Sequence, residues 1–208
     1  ELNNLKTMNY LSREKLQKIF NFDFISSYCL LTFHPVTLEL KSLKTQIENL
    51  IKAIKKTKIN AVITYPNADP LHQKVIKIIK SHFIDKKKYL IIKNCGEKKY
   101  ASLLKHSEFV IGNSSSGIVE AATLKKASIN IGTRQNGKLK PGNVLDADYS
   151  INSIIKSIKK AMSPHFKKKT RSVKNPYESK ININKIVDLI VKLKINDKLL
   201  RKKFINIK

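Results

Sequence analysis

The chain has 208 residues, of which 41% are hydrophobic, enough to bury a real core as one domain or one and a half. Its formal net charge of +27 suggests nucleic acid, yet of 42 basic residues only Arg13, Arg134, Arg171 and Arg201 are arginine. A chain selected for phosphate contacts favours arginine forks, so the bias reads as a solvated lysine surface and no nucleic-acid partner is expected. Runs such as Lys86-Lys87-Lys88 and Lys167-Lys168-Lys169 fall where exposed loops are expected.

No apolar run approaches membrane-spanning length and no signal peptide is visible, so a cytoplasmic protein without a membrane partner is expected. Cys29 and Cys95 fit neither a disulfide framework nor a metal knuckle, and read as interior thiols. The first residue is Glu rather than Met, which points to a fragment or a processed piece.

In chain order, residues 1–24 read as a lead-in with a short helix capped by Ser12. Tyr28 to Phe33 is a strand-like run ending at His34-Pro35. Thr37 is placed to cap a helix whose apolar face is Leu40, Leu43, Ile47, Leu50, Ile51 and Ile54. Asn60 to Thr64 is a second strand, broken by Tyr65-Pro66-Asn67-Ala68-Asp69-Pro70, with Asp69 as N-cap and Pro70 opening the next helix. Strands follow at 89–92, 109–111 and 128–131, each preceded by a helical segment, and Val144-Leu145 reads as a short last strand. A helix over 151–162 is stopped by Pro164, a lysine-rich connector reaches Lys180, and a final helix carries Ile183, Ile186, Val187, Ile190, Val191 and Leu193.

Strands alternating with helices predict an α/β fold, a doubly wound parallel sheet of Rossmann-like type. The expected division is a lead-in over 1–24, a Rossmann-like domain over 25–163, and a connector with a crossover helix over 164–208. Ligands of such sheets sit outside the carboxyl ends of the strands. His34, Asn67, Asp69, Asn94, Asn113 to Gly117 and Thr133-Arg134-Gln135 all fall on that rim.

The rim is organised around Glu108 to Glu120, read as a strand, a tight turn and a helix over Ile118 to Lys126. The free amides and dipole of a helix N-terminus bind phosphate, and Ser114 and Ser115 add hydroxyl donors. Ser114 to Ser116 could equally serve only as caps. Arg134 is the one arginine among these loops, and a planar fork suits a diphosphate. Glu120 opposes phosphate but suits a ribose diol, or simply the helix dipole. Asn67 and Asp69 could build only a turn, and His34 could be a structural histidine or a titrating group at the reaction centre. A rival reading makes Ser115 the nucleophile of an elbow, with Asp146 and His165 following in order. It lacks the glycine two residues before the nucleophile, where Asn113 stands.

Thr32-Phe33-His34-Pro35-Val36-Thr37, Tyr65-Pro66-Asn67-Ala68-Asp69, Gly112 to Glu120 and Gly132-Thr133-Arg134-Gln135 occur in this order and spacing. Together they resemble the C-terminal half of the hydrolysing UDP-N-acetylglucosamine 2-epimerases, from near Leu2 to about Leu145 and more loosely beyond. The resemblance implies the C-terminal half of a two-domain fold of the B-type glycosyltransferase kind, with the nucleotide sugar in the cleft. It implies that Ser114, Ser115 and Glu120 hold diphosphate and ribose beside Arg134, that Asn67 and Asp69 line the cleft, and that His34 is catalytic. The implied reaction eliminates UDP after proton loss at C2 of the sugar. Water then adds and releases N-acetylmannosamine for sialic acid-type synthesis. No cofactor and no metal are implied, and a homo-oligomer is expected. The family's acid/base carboxylates lie in an N-terminal domain that precedes the matching region, so this chain alone is expected to be inactive. UDP and GDP, and N-acetylglucosamine and a diacetamido sugar, stay open alternatives. A glycosyltransferase nucleotide domain is the competing reading, and a basic nucleic-acid module stands third.

Overall fold

The computed structural model describes residues 2–178 and 183–201. The chain divides into two units, Glu1–Glu178 and Ser179–Lys208. The first runs α1 (Leu2–Thr7), α2 (Arg13–Phe20), β1 (Tyr28–Thr32), α3 (Leu43–Thr57), β2 (Asn60–Thr64), α4 (His72–His82), β3 (Tyr89–Ile92) and α5 (Gly96–His106). It continues β4 (Phe109–Gly112), α6 (Glu120–Thr123), β5 (Ala127–Ile131), β6 (Val144–Ala147), α7 (Ile151–Met162) and α8 (Pro164–Arg171). The second unit holds α9 (Ile183–Lys192) and α10 (Asp197–Leu200); Leu189 and Val191 on α9 are 67% and 77% exposed. Among the described residues no helix is long and apolar enough to cross a membrane.

All six strands are parallel, in the order β3-β2-β1-β4-β5-β6. The two-residue period of a strand divides the core between two faces. Cys29 and Leu31, Ala61 and Ile63, and Phe109 and Ile111 join Leu43, Ile47, Ile51 and Ile158 on one face. Leu30, Val62 and Val110 join Phe24, Leu103 and Leu104 on the other. Both faces are covered, so the inner strands read as continuous apolar runs, as parallel sheets require.

Thr32 pairs in register with both Thr64 and Gly112, so the three central strands end at one level. The order reverses between β1 and β4, and their loops part there to leave a crevice. Gly112 sits at that point with φ +132°, and a Cβ on it would lie 1.9 Å from the Thr32 carbonyl oxygen. No side chain fits.

Three local readings are corrected. Thr37–Ser42 forms a 3₁₀ segment, and α3 begins only at Leu43. The helix expected over Ile118 to Lys126 is a 3₁₀ turn, Ser115–Gly117, followed by the four-residue α6. The turn lies tight on the sheet: a Cβ on Gly117 would stand 2.6 Å from the Ser128 hydroxyl of β5. Pro164 does not only stop a helix. Ser163 caps its successor through the Phe166 N–H, Pro164 takes the first helical position, and α8 fills part of the stretch read as a connector. Ser12 caps α2 as expected, accepting from Lys15 N–H at 3.3 Å.

Gly112→Ala is expected to destabilise the fold by about 3 kcal/mol or more, since both conformation and space forbid a Cβ. Gly137→Ala, at φ +80° in open space, is expected to cost about 1 kcal/mol. Denaturant unfolding of the two variants checks the contrast.

Candidate functional site

Asn113 follows Gly112 and is fully buried. Its side-chain carbonyl accepts the His34 N–H at 2.7 Å, and its amide donates to the His34 carbonyl at 2.8 Å. The two backbone groups that leave the sheet where β1 ends are thereby satisfied from β4. The Asn113 main-chain carbonyl accepts from Gln135 Nε2 at 2.8 Å and from Arg134 Nη1 at 3.2 Å. One residue ties three strand-end loops together.

The His34 ring is 5% exposed, and its Nδ1 accepts the Asn67 N–H at 3.1 Å, so the ring proton belongs on Nε2. Burial, and after it the Arg134 guanidinium, push its pKa down to about 4 against the opposing pull of Asp69. His34 is therefore a neutral donor near pH 7, not a titrating one. Asp69 Oδ2 lies 3.8 Å from His34 Nδ1 and 3.7 Å from Arg134 Nη2. Asp69 is not a helix cap: α4 starts at His72, after Leu71 in the left-handed region at φ +63°. The Asp69 carbonyl accepts the His72 N–H, which leaves the carboxylate to the cleft.

These loops wall a cavity of about 600 Å³. His34, Asn67, Ser114, Ser115, Glu120 and Arg134 line it; Asp69 lines an adjoining depression that shares Arg134. Ser114 accepts from the Ser116 N–H at 3.4 Å, and Ser116 accepts the Tyr100 hydroxyl at 2.8 Å. Ser115 is exposed on the turn. Cys95, read as interior, is half-buried and lines the same cavity.

Several residues that shape this rim carry no local sequence signal. The Glu39 carboxylate accepts from Tyr149 OH and Gln46 Nε2 at 2.7 Å each, and from the Thr133 hydroxyl. The Thr133 bond, first among these, holds the Glu39 carboxyl below the usual range. The loop after β1 is thus fastened to the loop bearing Arg134. Tyr149 lies so close to Gly132 that a Cβ there would stand 2.1 Å from its ring. The nucleophile-elbow reading finds no support: the Asp146 carboxylate is taken by Lys140 and Asn130 at 2.7 Å each, and His165 is exposed on α8.

A family model described as UDP-N-acetylglucosamine 2-epimerase matches residues 3–191. The chain is 34% identical over 205 residues to the GDP/UDP-N,N'-diacetylbacillosamine 2-epimerase (hydrolyzing) of Campylobacter jejuni, covering 98% of this chain and 53% of that protein. It is 32% identical over 152 residues to the UDP-N,N'-diacetylbacillosamine 2-epimerase (hydrolyzing) of Legionella pneumophila, covering 73% and 40%. The chain thus spans about half the length of the curated relatives it matches. Among solved structures, the UDP-GlcNAc 2-epimerase of Methanocaldococcus jannaschii, in complex with UDP-GlcNAc and UDP, superposes with a TM-score of 0.67. That likeness, at 22% identity over 91% of this chain and 51% of the other, concerns the fold.

Asn113→Ala orphans the buried His34 backbone groups and is expected to cost about 2–4 kcal/mol in denaturant unfolding. His34 sets a pH dependence. Between pH 6.5 and about 4 the unfolded chain takes up a proton that the folded ring refuses. Its contribution to stability is whole above pH 6.5 and is lost as the pH falls toward 4. His34→Gln is expected to flatten this limb of the stability curve; an unchanged slope contradicts the assignment.

Proposed function

This chain belongs to the UDP-N-acetylglucosamine 2-epimerase family, and on that premise we propose that it forms the UDP-binding half of a hydrolysing nucleotide-sugar 2-epimerase. The observation that carries the reading is the convergence of His34, Ser114, Ser115, Glu120 and Arg134 on one cavity at the sheet's switch point. Ser114, Ser115 and the turn amides hold the diphosphate, and Arg134 lays its fork against it. Glu120 takes the ribose hydroxyls. Asn67 and Asp69 stand on the sugar side of the cleft. With Nδ1 occupied, His34 offers its Nε2–H to the departing diphosphate.

The reaction proceeds by loss of the C2 proton and cleavage of the sugar C1–O bond, whose electron pair leaves with UDP. Water adds across the resulting C1–C2 double bond, with hydroxyl at C1 and hydrogen at C2 in the opposite configuration. With N-acetylglucosamine as the sugar, the product is N-acetylmannosamine for sialic acid-type synthesis. The Campylobacter and Legionella relatives, by their names, act on a diacetamido sugar, and that substrate is the second reading. The carboxylates that move the C2 proton belong to the other half of the enzyme.

Calorimetric titration of the chain with UDP tests the site: Ser115→Ala and Arg134→Ala are each expected to weaken binding by about 1–3 kcal/mol. Unchanged affinity in both overturns it. In a single-turnover assay with UDP-N-acetylglucosamine, the chain by itself is expected to release no free sugar.

A further inference from the structure

A second cavity, of about 310 Å³, opens on the opposite rim, where the amino ends of β4 and β5 meet α2 and α8. Its walls carry Arg13, Lys105, Lys125, Lys126, Lys167 and Arg171 against a single carboxylate, Glu108. The run Lys167-Lys168-Lys169, read from the sequence as an exposed loop, lies on α8 instead, and Lys167 turns into this cavity.

Most of these cations are held in place. Arg13 donates to the His106 carbonyl at 2.9 Å and also to the Phe24 carbonyl. Lys105 sits 3.9 Å above the Tyr10 ring, and Lys125 reaches the Val173 carbonyl. Lys126 donates to the Ser107 carbonyl at 2.8 Å, and Lys167 to Glu108 at 2.6 Å. Arg171 has no protein partner among the described residues. An ammonium has three donors, so each lysine keeps capacity for a ligand. Burial, with Arg13, Lys167 and Lys105 close by, lowers the Lys126 pKa against the pull of Glu108.

The plain alternative is that these cations serve the helix dipoles, because α5, α6 and α8 all end at this rim. Magnitudes decide against it. Three helix ends offer about half a negative charge each, while the six cations exceed Glu108 by five. Roughly three to four positive charges remain. Composition argues the same way: of only four arginines in the chain, Arg13 and Arg171 line this one cavity. A uniform lysine bias does not gather arginines; Arg13 is taken up by backbone carbonyls, but the Arg171 fork has no partner among the described residues and suits phosphate oxygens.

We propose that this cavity is a second anion site, separate from the cleft, that takes a compact oligophosphate carrying about three to four negative charges. Its volume suits a short phosphate chain and not a nucleic-acid strand. Glu108 takes up Lys167, which leaves the ligand to Arg13, Lys105, Lys126 and Arg171.

The test is calorimetry of the full chain with inorganic tripolyphosphate at about 0.15 M salt, with UDP held at saturation. One-site binding is expected, weakened about tenfold or more in Lys105→Gln/Arg171→Gln, through the loss of charge-assisted hydrogen bonds. The control Lys86→Gln/Lys87→Gln removes the same charge from an exposed turn and is expected to bind like the parent. Equal losses in the two double variants, or abolition of binding by UDP, overturns the proposal. ATP distinguishes the source. Binding as tight as that of tripolyphosphate assigns the site to a nucleotide's phosphate chain; binding by tripolyphosphate alone assigns it to free oligophosphate.

Discussion

The site depends on one buried amide. At a switch point two neighbouring parallel strands send their chains in opposite directions, so the backbone beyond Thr32 and Gly112 loses its sheet partners just where the crevice forms. Unpaired peptide groups buried there would cost more than the crevice is worth. Asn113 removes the difficulty by copying a strand's pairing with its side chain, one acceptor and one donor to His34. Because its own carbonyl also receives Arg134 and Gln135, the rim behaves as one rigid piece. An aspartate could not donate and a leucine could do neither.

Rigidity has an electrostatic use. His34 is kept neutral by burial and by a neighbouring guanidinium, while its tautomer is fixed by the Asn67 N–H. An imidazole so held presents the same hydrogen to the cavity, and the cation beside it, Arg134, is always charged. Asp69 lies near both, 3.8 Å from the ring and 3.7 Å from the guanidinium, which is itself held by the Asn113 carbonyl.

The architecture was legible because its signals are periodic and local. Continuous apolar runs marked β1, β2 and β4 as strands covered on both faces, and the three- and four-residue spacing of α3 is unmistakable. Rim residues in chain order also pointed to the cleft. What escaped were choices made by distant partners. Asp69-Pro70 has the form of a helix start, but Leu71 adopts a left-handed conformation and moves the start to His72. Glu39 lies 110 residues from Tyr149, and nothing near either announces the bond. Asn113 had a weak signal: an amide directly after a strand-ending glycine, where a hydrophobic run gives no reason for a polar side chain. The lysine surplus hid the second cavity, because excess charge spread through a sequence conceals the places where it is gathered.

Tyr149 links the edge of the sheet to the cleft. It stands beyond the edge strand β6, its ring occupies the space left by Gly132, and its hydroxyl ends on Glu39, which also holds Thr133 beside Arg134. The outermost strand is the part of a sheet free to drift in sequence, since only one neighbour constrains it. Here that freedom is coupled, through Glu39 and Thr133, to the loop that bears Arg134. A change at the periphery, in the fit of one ring against one glycine, thus reaches that loop while every side chain lining the cavity stays the same.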